Sequence, residues 1–66
     1  MTLESRIHEL DLDPRSFNLL FRNGYLTIED VCARTEKQLR AVDGLGPKSL
    51  ENIKNALAEA GFSLAG

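Results

Sequence analysis

The stretch Asp43-Gly44-Leu45-Gly46-Pro47-Lys48-Ser49-Leu50 decides how this chain folds. Two glycines flank a leucine, and a proline follows at once. Glycine takes left-handed backbone without strain, so Gly44 and Gly46 read as a tight turn. Proline suits the first position of a helix, where its missing N–H costs nothing. A short helix therefore ends just before this stretch, and a longer one begins at Pro47. Leu45 plugs into the core and holds the turn. Downstream, Leu50, Ile53, Leu57 and Ala60 recur at helical spacing and make one apolar face. Gly61 ends that helix, and Phe62 and Leu64 fold back onto the core.

Upstream, the same punctuation repeats. Asp13-Pro14 starts a helix, with Asp13 as N-cap and Pro14 in the first turn. It runs to Arg22, and Asn23-Gly24 stops it, with Gly24 suited to left-handed backbone. Phe17, with Leu20 or Phe21, supplies its core side. Thr27 caps a short second helix. Thr35 and Gln38 form a capping box for a third. Val31 and Leu39 point inward from these two. Residues 1–9 read as an acidic lead-in, followed by an extended Leu10 to Leu12 packed on the core. Leu3, Ile7 and Leu10 fit a helical stripe over two turns. No segment alternates as a strand does. The expectation is all-α: one compact module over residues 1–66, with four to five short helices.

Composition closes off several function classes. Of 66 residues, 42% are apolar and 27% charged, which is not the make-up of a disordered tail. No apolar run reaches the ~18 residues of a membrane helix, and no signal peptide opens the sequence. One cysteine, Cys32, and one histidine, His8, leave no disulfide and no zinc site. Cys32 reads as a small buried hydrophobe and His8 as a surface residue. Ser16, Ser49 and Ser63 have no recognisable base, so no catalytic residue, cofactor or metal is expected. The expected home is cytoplasmic. Eight basic against ten acidic residues, net −2, argue against a polybasic nucleic-acid binder. They leave room for a local basic patch.

Two patches stand out. At the helix start after Gly46, free backbone N–H groups and the helix dipole make an anion site. The glycines allow a phosphodiester to approach, Lys48 adds charge, and Ser49 adds a hydroxyl. The plainer reading is a tight connection between two helices. On the Pro14 to Arg22 helix, Arg15, Asn18, Leu19 and Arg22 share one face. Arginine suits a narrow A·T-rich minor groove, and asparagine can bond a base edge. The plainer reading is a solvated face with Arg15 paired to Asp11, and the residues alone leave both open.

In these segments the sequence resembles a known family. Asp11-Leu12-Asp13-Pro14-Arg15-Ser16-Phe17-Asn18-Leu19-Leu20, then Arg34-Thr35-Glu36, then Gly44-Leu45-Gly46-Pro47-Lys48-Ser49-Leu50-Glu51-Asn52-Ile53-Lys54 look like the C-terminal domain of the bacterial RNA polymerase alpha subunit. The likeness runs from about Ile7 to Leu64 and includes the closing Gly61-Phe62-Ser63-Leu64. It implies a helix-hairpin-helix-related domain with a nonstandard lead-in, located in the bacterial nucleoid. It implies binding to the minor groove of A/T-rich upstream promoter DNA, and contact with transcription activators or sigma factor. It implies a longer parent protein that joins other polymerase subunits, with catalysis in those subunits. By this resemblance Arg15 enters the groove and Asn18 lies beside it. Leu19, on their face, counts with them as a DNA-contacting residue. Gly46, Lys48 and Ser49 contact phosphate.

The departures are specific. Gly44 stands where the family usually has an asparagine that reaches the groove. Pro47 replaces a common lysine or arginine. Leu19 and Phe21 replace a usual cysteine and lysine. These changes favour a rival reading, a protein-interaction adaptor on the same fold that uses Leu19, Phe21, Glu29, Asp30 and Glu36. A third reading, a repair or recombination domain, rests on Gly44-Leu45-Gly46 alone and leaves Arg15-Ser16-x-Asn18 unexplained.

Overall fold

A 3₁₀ turn, η1 (Ile7–Glu9), precedes four α-helices: α1 (Pro14–Arg22), α2 (Ile28–Cys32), α3 (Glu36–Arg40) and α4 (Pro47–Glu59). This computed structural model describes all 66 residues, Met1–Gly66. Most helix boundaries have a local cause. The Asp13 carboxylate accepts the Ser16 N–H at 2.7 Å and caps α1. Thr27 accepts the Asp30 N–H, and Asp30 in turn accepts the N–H groups of Leu26 and Thr27, each at 3.0 Å. Thr35 and Gln38 exchange the same pair of bonds at the start of α3. Gly24 and Gly61, at φ +86° and +87°, follow the ends of α1 and α4 in left-handed backbone.

The core gathers on α4. Leu50, Ile53, Ala56 and Leu57 are buried, and α4 packs against α1 and α3. Leu20 from α1, Ile28 and Val31 from α2, and Leu39 from α3 meet them. Leu45 of the turn joins the same cluster, while Phe62 and Leu64 pack against its edge. Each large side chain buried this way contributes roughly 1.5–3 kcal/mol by removing apolar surface from water.

The lead-in is tied down by backbone pairing. Ile7 donates to the Leu26 carbonyl, Ile28 to that of Ser5, and Glu29 to that of Leu3. Ile7 and Leu10 thereby reach the core, and Leu10 is extended as expected. The stripe through Leu3, Ile7 and Leu10 yields only the single 3₁₀ turn, and Leu3 remains exposed. Pairing to Leu26 and to the first residues of α2 takes the backbone groups that a longer helix would need.

Between the alternatives Leu20 and Phe21, the structure buries Leu20 and leaves Phe21 56% exposed. Cys32 is half-buried rather than fully so, and burial pushes its thiol pKa up, away from reactivity. His8 is exposed.

Candidate functional site

Arg15 sits in the first turn of α1, and Lys48 and Ser49 sit in the first turn of α4. Far apart in the sequence, these helix starts face one open groove. Arg15, Gly44, Gly46, Pro47, Lys48 and Ser49 line it, enclosing about 410 Å³. No large apolar side chain is among them. A direct tie holds the two starts together: Asn52 of α4 accepts the Asp13 N–H through Oδ1 at 3.0 Å. Asp13 is the cap of α1, so this bond sets Arg15 against the Gly46 turn. Nothing in the sequence marks Asn52 for that task.

The start of α4 differs from the other three α-helices, because its N-cap, Gly46, has no side chain to bond it. The Gly46 carbonyl accepts from Leu50, but the N–H groups of Gly46, Lys48 and Ser49 bond to no protein acceptor. Three unbonded donors and the positive end of the helix dipole thus belong to residues that line the groove. A Cβ built on Gly46 would meet nothing within 4 Å, so the backbone there is open to close approach. Lys48 is exposed, whereas Ser49 is 7% exposed and borders the groove from below.

The cations of the site are free. The two salt bridges of the fold join Glu36 to Arg40 at 3.2 Å and to Lys54 at 3.1 Å. Lys54 first, and then Arg40, hold the Glu36 carboxyl below its usual pKa. Arg15, Arg22 and Lys48 take part in no ion pair, so the expected alternative of Arg15 bound to Asp11 is not formed. Asp13 is engaged in its cap, where the Ser16 N–H above all lowers its pKa.

Asn18 is exposed on α1, on the same side as Arg15 and Arg22, but does not line the groove. Leu19 departs from its expected place on a solvated stripe. It is half-buried against the core, and its Cδ2 lies 3.0 Å from where a Gly44 Cβ would be. Leu19 thus occupies the space above Gly44, which sits at φ +83°. Ser16 has a structural place that its position in the sequence does not signal. Its hydroxyl is fully buried beside Asp13 but meets no partner with hydrogen-bond geometry.

Of the five residues in the rival adaptor reading, three are engaged internally, while Phe21 and Glu29 stand exposed. Asp30 is held in the cap of α2, Glu36 in its ion pairs, and Leu19 against Gly44. No group of three or more His, Cys, Asp or Glu side chains is placed to hold a metal ion. No helix is long and apolar enough to cross a membrane.

The comparison with known families fits this architecture. The family model for the C-terminal domain of the bacterial RNA polymerase alpha chain matches residues 1–59. The match takes in the whole lead-in, all four helices and both halves of the groove. It stops before Gly61-Phe62-Ser63-Leu64. The protein belongs to the family of C-terminal domains of the bacterial RNA polymerase alpha subunit, a non-catalytic part of DNA-directed RNA polymerase that acts in transcription.

Proposed function

We propose that this domain binds the minor groove of A/T-rich upstream promoter DNA for RNA polymerase, and that transcription activators or sigma factor dock on its remaining faces. One observation carries the reading. The groove unites Arg15 with the uncapped start of α4, and none of its cations is paired within the protein. Arg15 supplies a guanidinium suited to the enhanced negative potential of a narrow groove. Asn18, on the same exposed side, supplies an amide for a base edge or sugar. The free N–H groups of Gly46, Lys48 and Ser49, with the Lys48 ammonium, receive a flanking phosphate.

The footprint is small. Two to four phosphates neutralised correspond to a salt slope of roughly −2 to −4, and to micromolar or weaker affinity for the isolated domain. Tethering through a longer parent protein and partner contacts then supply the rest of the affinity.

An amide chemical-shift titration with A·T-rich and G·C-rich duplexes, at two salt concentrations, tests this. Shifts are expected at residues 15–19 and 46–49. They should be larger for the A·T-rich duplex and should fade with salt. Arg15→Ala is expected to weaken binding by at least about tenfold, with an unchanged melting temperature. Equal binding by Arg15→Ala and the unsubstituted domain would overturn the assignment of the site.

A further inference from the structure

We infer that Phe21 is an apolar contact of the same duplex-binding face, lying against the deoxyribose wall beside the groove that Arg15 enters. This rests on the DNA-binding reading above and adds to it a residue that the groove does not contain.

Helical geometry comes first. At about 100° per residue, Phe21, Pro14, Asn18, Arg22 and Arg15 follow one another across a single arc of roughly 120°. All five are exposed, while Ser16 and Leu20 on the opposite side of α1 are fully buried. Phe21 lies about 60° beyond Asn18, on the side of α1 away from Leu19 and the Gly44 turn, so a surface centred on Asn18 meets Arg15 at one edge and Phe21 at the other.

The second observation is the state of the ring. Phe21 is 56% exposed. It stacks on Phe17 with centroids 5.8 Å apart and planes 12° from parallel. Phe17 is itself packed against the core, so Phe21 sits on a fixed ledge. A side chain already held in place loses little freedom when a partner covers it.

Charge selects the partner. The arc carries Arg15 and Arg22 and none of the acidic residues, on a protein whose net charge is −2. Neither arginine is paired. An apolar edge bordered by free guanidinium groups matches the sugar-phosphate wall, with its C–H faces and flanking phosphates. Distance agrees. Arg15 and Phe21 are six residues apart, or about 9 Å along the axis, and the minor groove is only about 6 Å wide. With Arg15 in the groove and α1 crossing it, Phe21 overlies the sugars of the facing strand.

Such a contact releases no counterion and reads no base, which gives it a signature distinct from that of Arg15. Binding of the unsubstituted domain, Phe21→Ala, Phe21→Leu and Arg15→Ala to A·T-rich and G·C-rich duplexes is measured by fluorescence anisotropy across a salt series. Phe21→Ala is expected to weaken both duplexes about fivefold alike, with the salt slope unchanged. Phe21→Leu is expected to retain most of the original affinity. Arg15→Ala should reduce the A·T preference and shrink the slope by about one. An unsubstituted domain that binds, with Phe21→Ala binding equally well, overturns the Phe21 assignment alone and leaves that face for a protein partner. An unsubstituted domain that binds neither duplex overturns the DNA reading and this inference together. Circular dichroism of each variant checks that the helices are intact.

Discussion

Replacing Gly44 with alanine tests how the groove is built. Gly44 has φ +83°, a conformation that costs a residue with a Cβ about 1–2 kcal/mol. The new Cβ would also meet Leu19 Cδ2 at 3.0 Å, so Leu19 must shift from its place. A displaced leucine rotamer costs about 0.5–1.5 kcal/mol. The sum predicts a loss of roughly 1.5–3.5 kcal/mol for Gly44→Ala. For a domain of this size that is about 6–28 °C in Tm, at about 4–8 °C per kcal/mol. Leu19→Ala removes a half-buried side chain and should cost about 1 kcal/mol by itself. The double variant separates the two causes. With Leu19 truncated, Gly44→Ala should lose only the backbone part, giving a coupling of about 0.5–1.5 kcal/mol in favour of the pair. Gly44→Asn should cost less backbone energy than Gly44→Ala, since asparagine tolerates left-handed backbone. Urea unfolding followed by circular dichroism measures all four, since the protein has no tryptophan. A Gly44→Ala loss below about 0.5 kcal/mol would refute the backbone reasoning. A coupling near zero would refute the contact with Leu19.

Two other outcomes follow from the fold. Ser16→Ala should be neutral or stabilising by up to about 1 kcal/mol, because it removes a buried hydroxyl without a partner; a loss above about 1 kcal/mol in urea unfolding would mean that the hydroxyl is bonded. Asp13, Asp30 and Glu36 are all held below their ordinary pKa values, 3.8 for the aspartates and 4.5 for Glu36, chiefly by N–H groups for the aspartates and by Lys54 for Glu36. Depressed carboxyl pKa values give stability that is fully present above those values and is lost as pH falls through the folded ones, so Tm should be flat near neutrality and fall below about pH 4. A Tm that rises on acidification through that range would contradict the capping bonds.

The local layout of the helices was legible because its causes are local. Asp13 before Pro14, Thr27, Thr35 with Gln38, Pro47 and Gly61 each satisfy or end a helix with atoms a few residues away. Leu50, Ile53 and Leu57 mark the core face of α4 by period alone. The same holds for the chemistry at the groove, where Arg15, Gly46, Lys48 and Ser49 could be named before their meeting was visible.

Where those elements go was decided by contacts between distant segments. Leu19 and Phe21 both lie on α1, and period alone does not say that Leu19 packs over Gly44 while Phe21 stands in solvent. The glycine leaves a space that only a neighbour across the fold can fill. The lead-in shows a helical stripe, yet the carbonyl of Leu26 and the N–H groups of Ile28 and Glu29 claim its backbone. Asn52 is one polar residue among several on α4 until Asp13 is brought to it. The freedom of Arg15, Arg22 and Lys48 is likewise a tertiary fact, since charge content cannot say which acids are already engaged in caps or with Lys54. By itself the sequence determined the helices, their caps, the apolar face of α4 and the residue types available for the groove, because short-range hydrogen bonds and periodicity act within a few residues. The tertiary structure alone decided which of those residues share a groove, which cations remain unpaired and which aromatic ring stands in solvent, because burial and pairing depend on segments that meet only when the protein has folded.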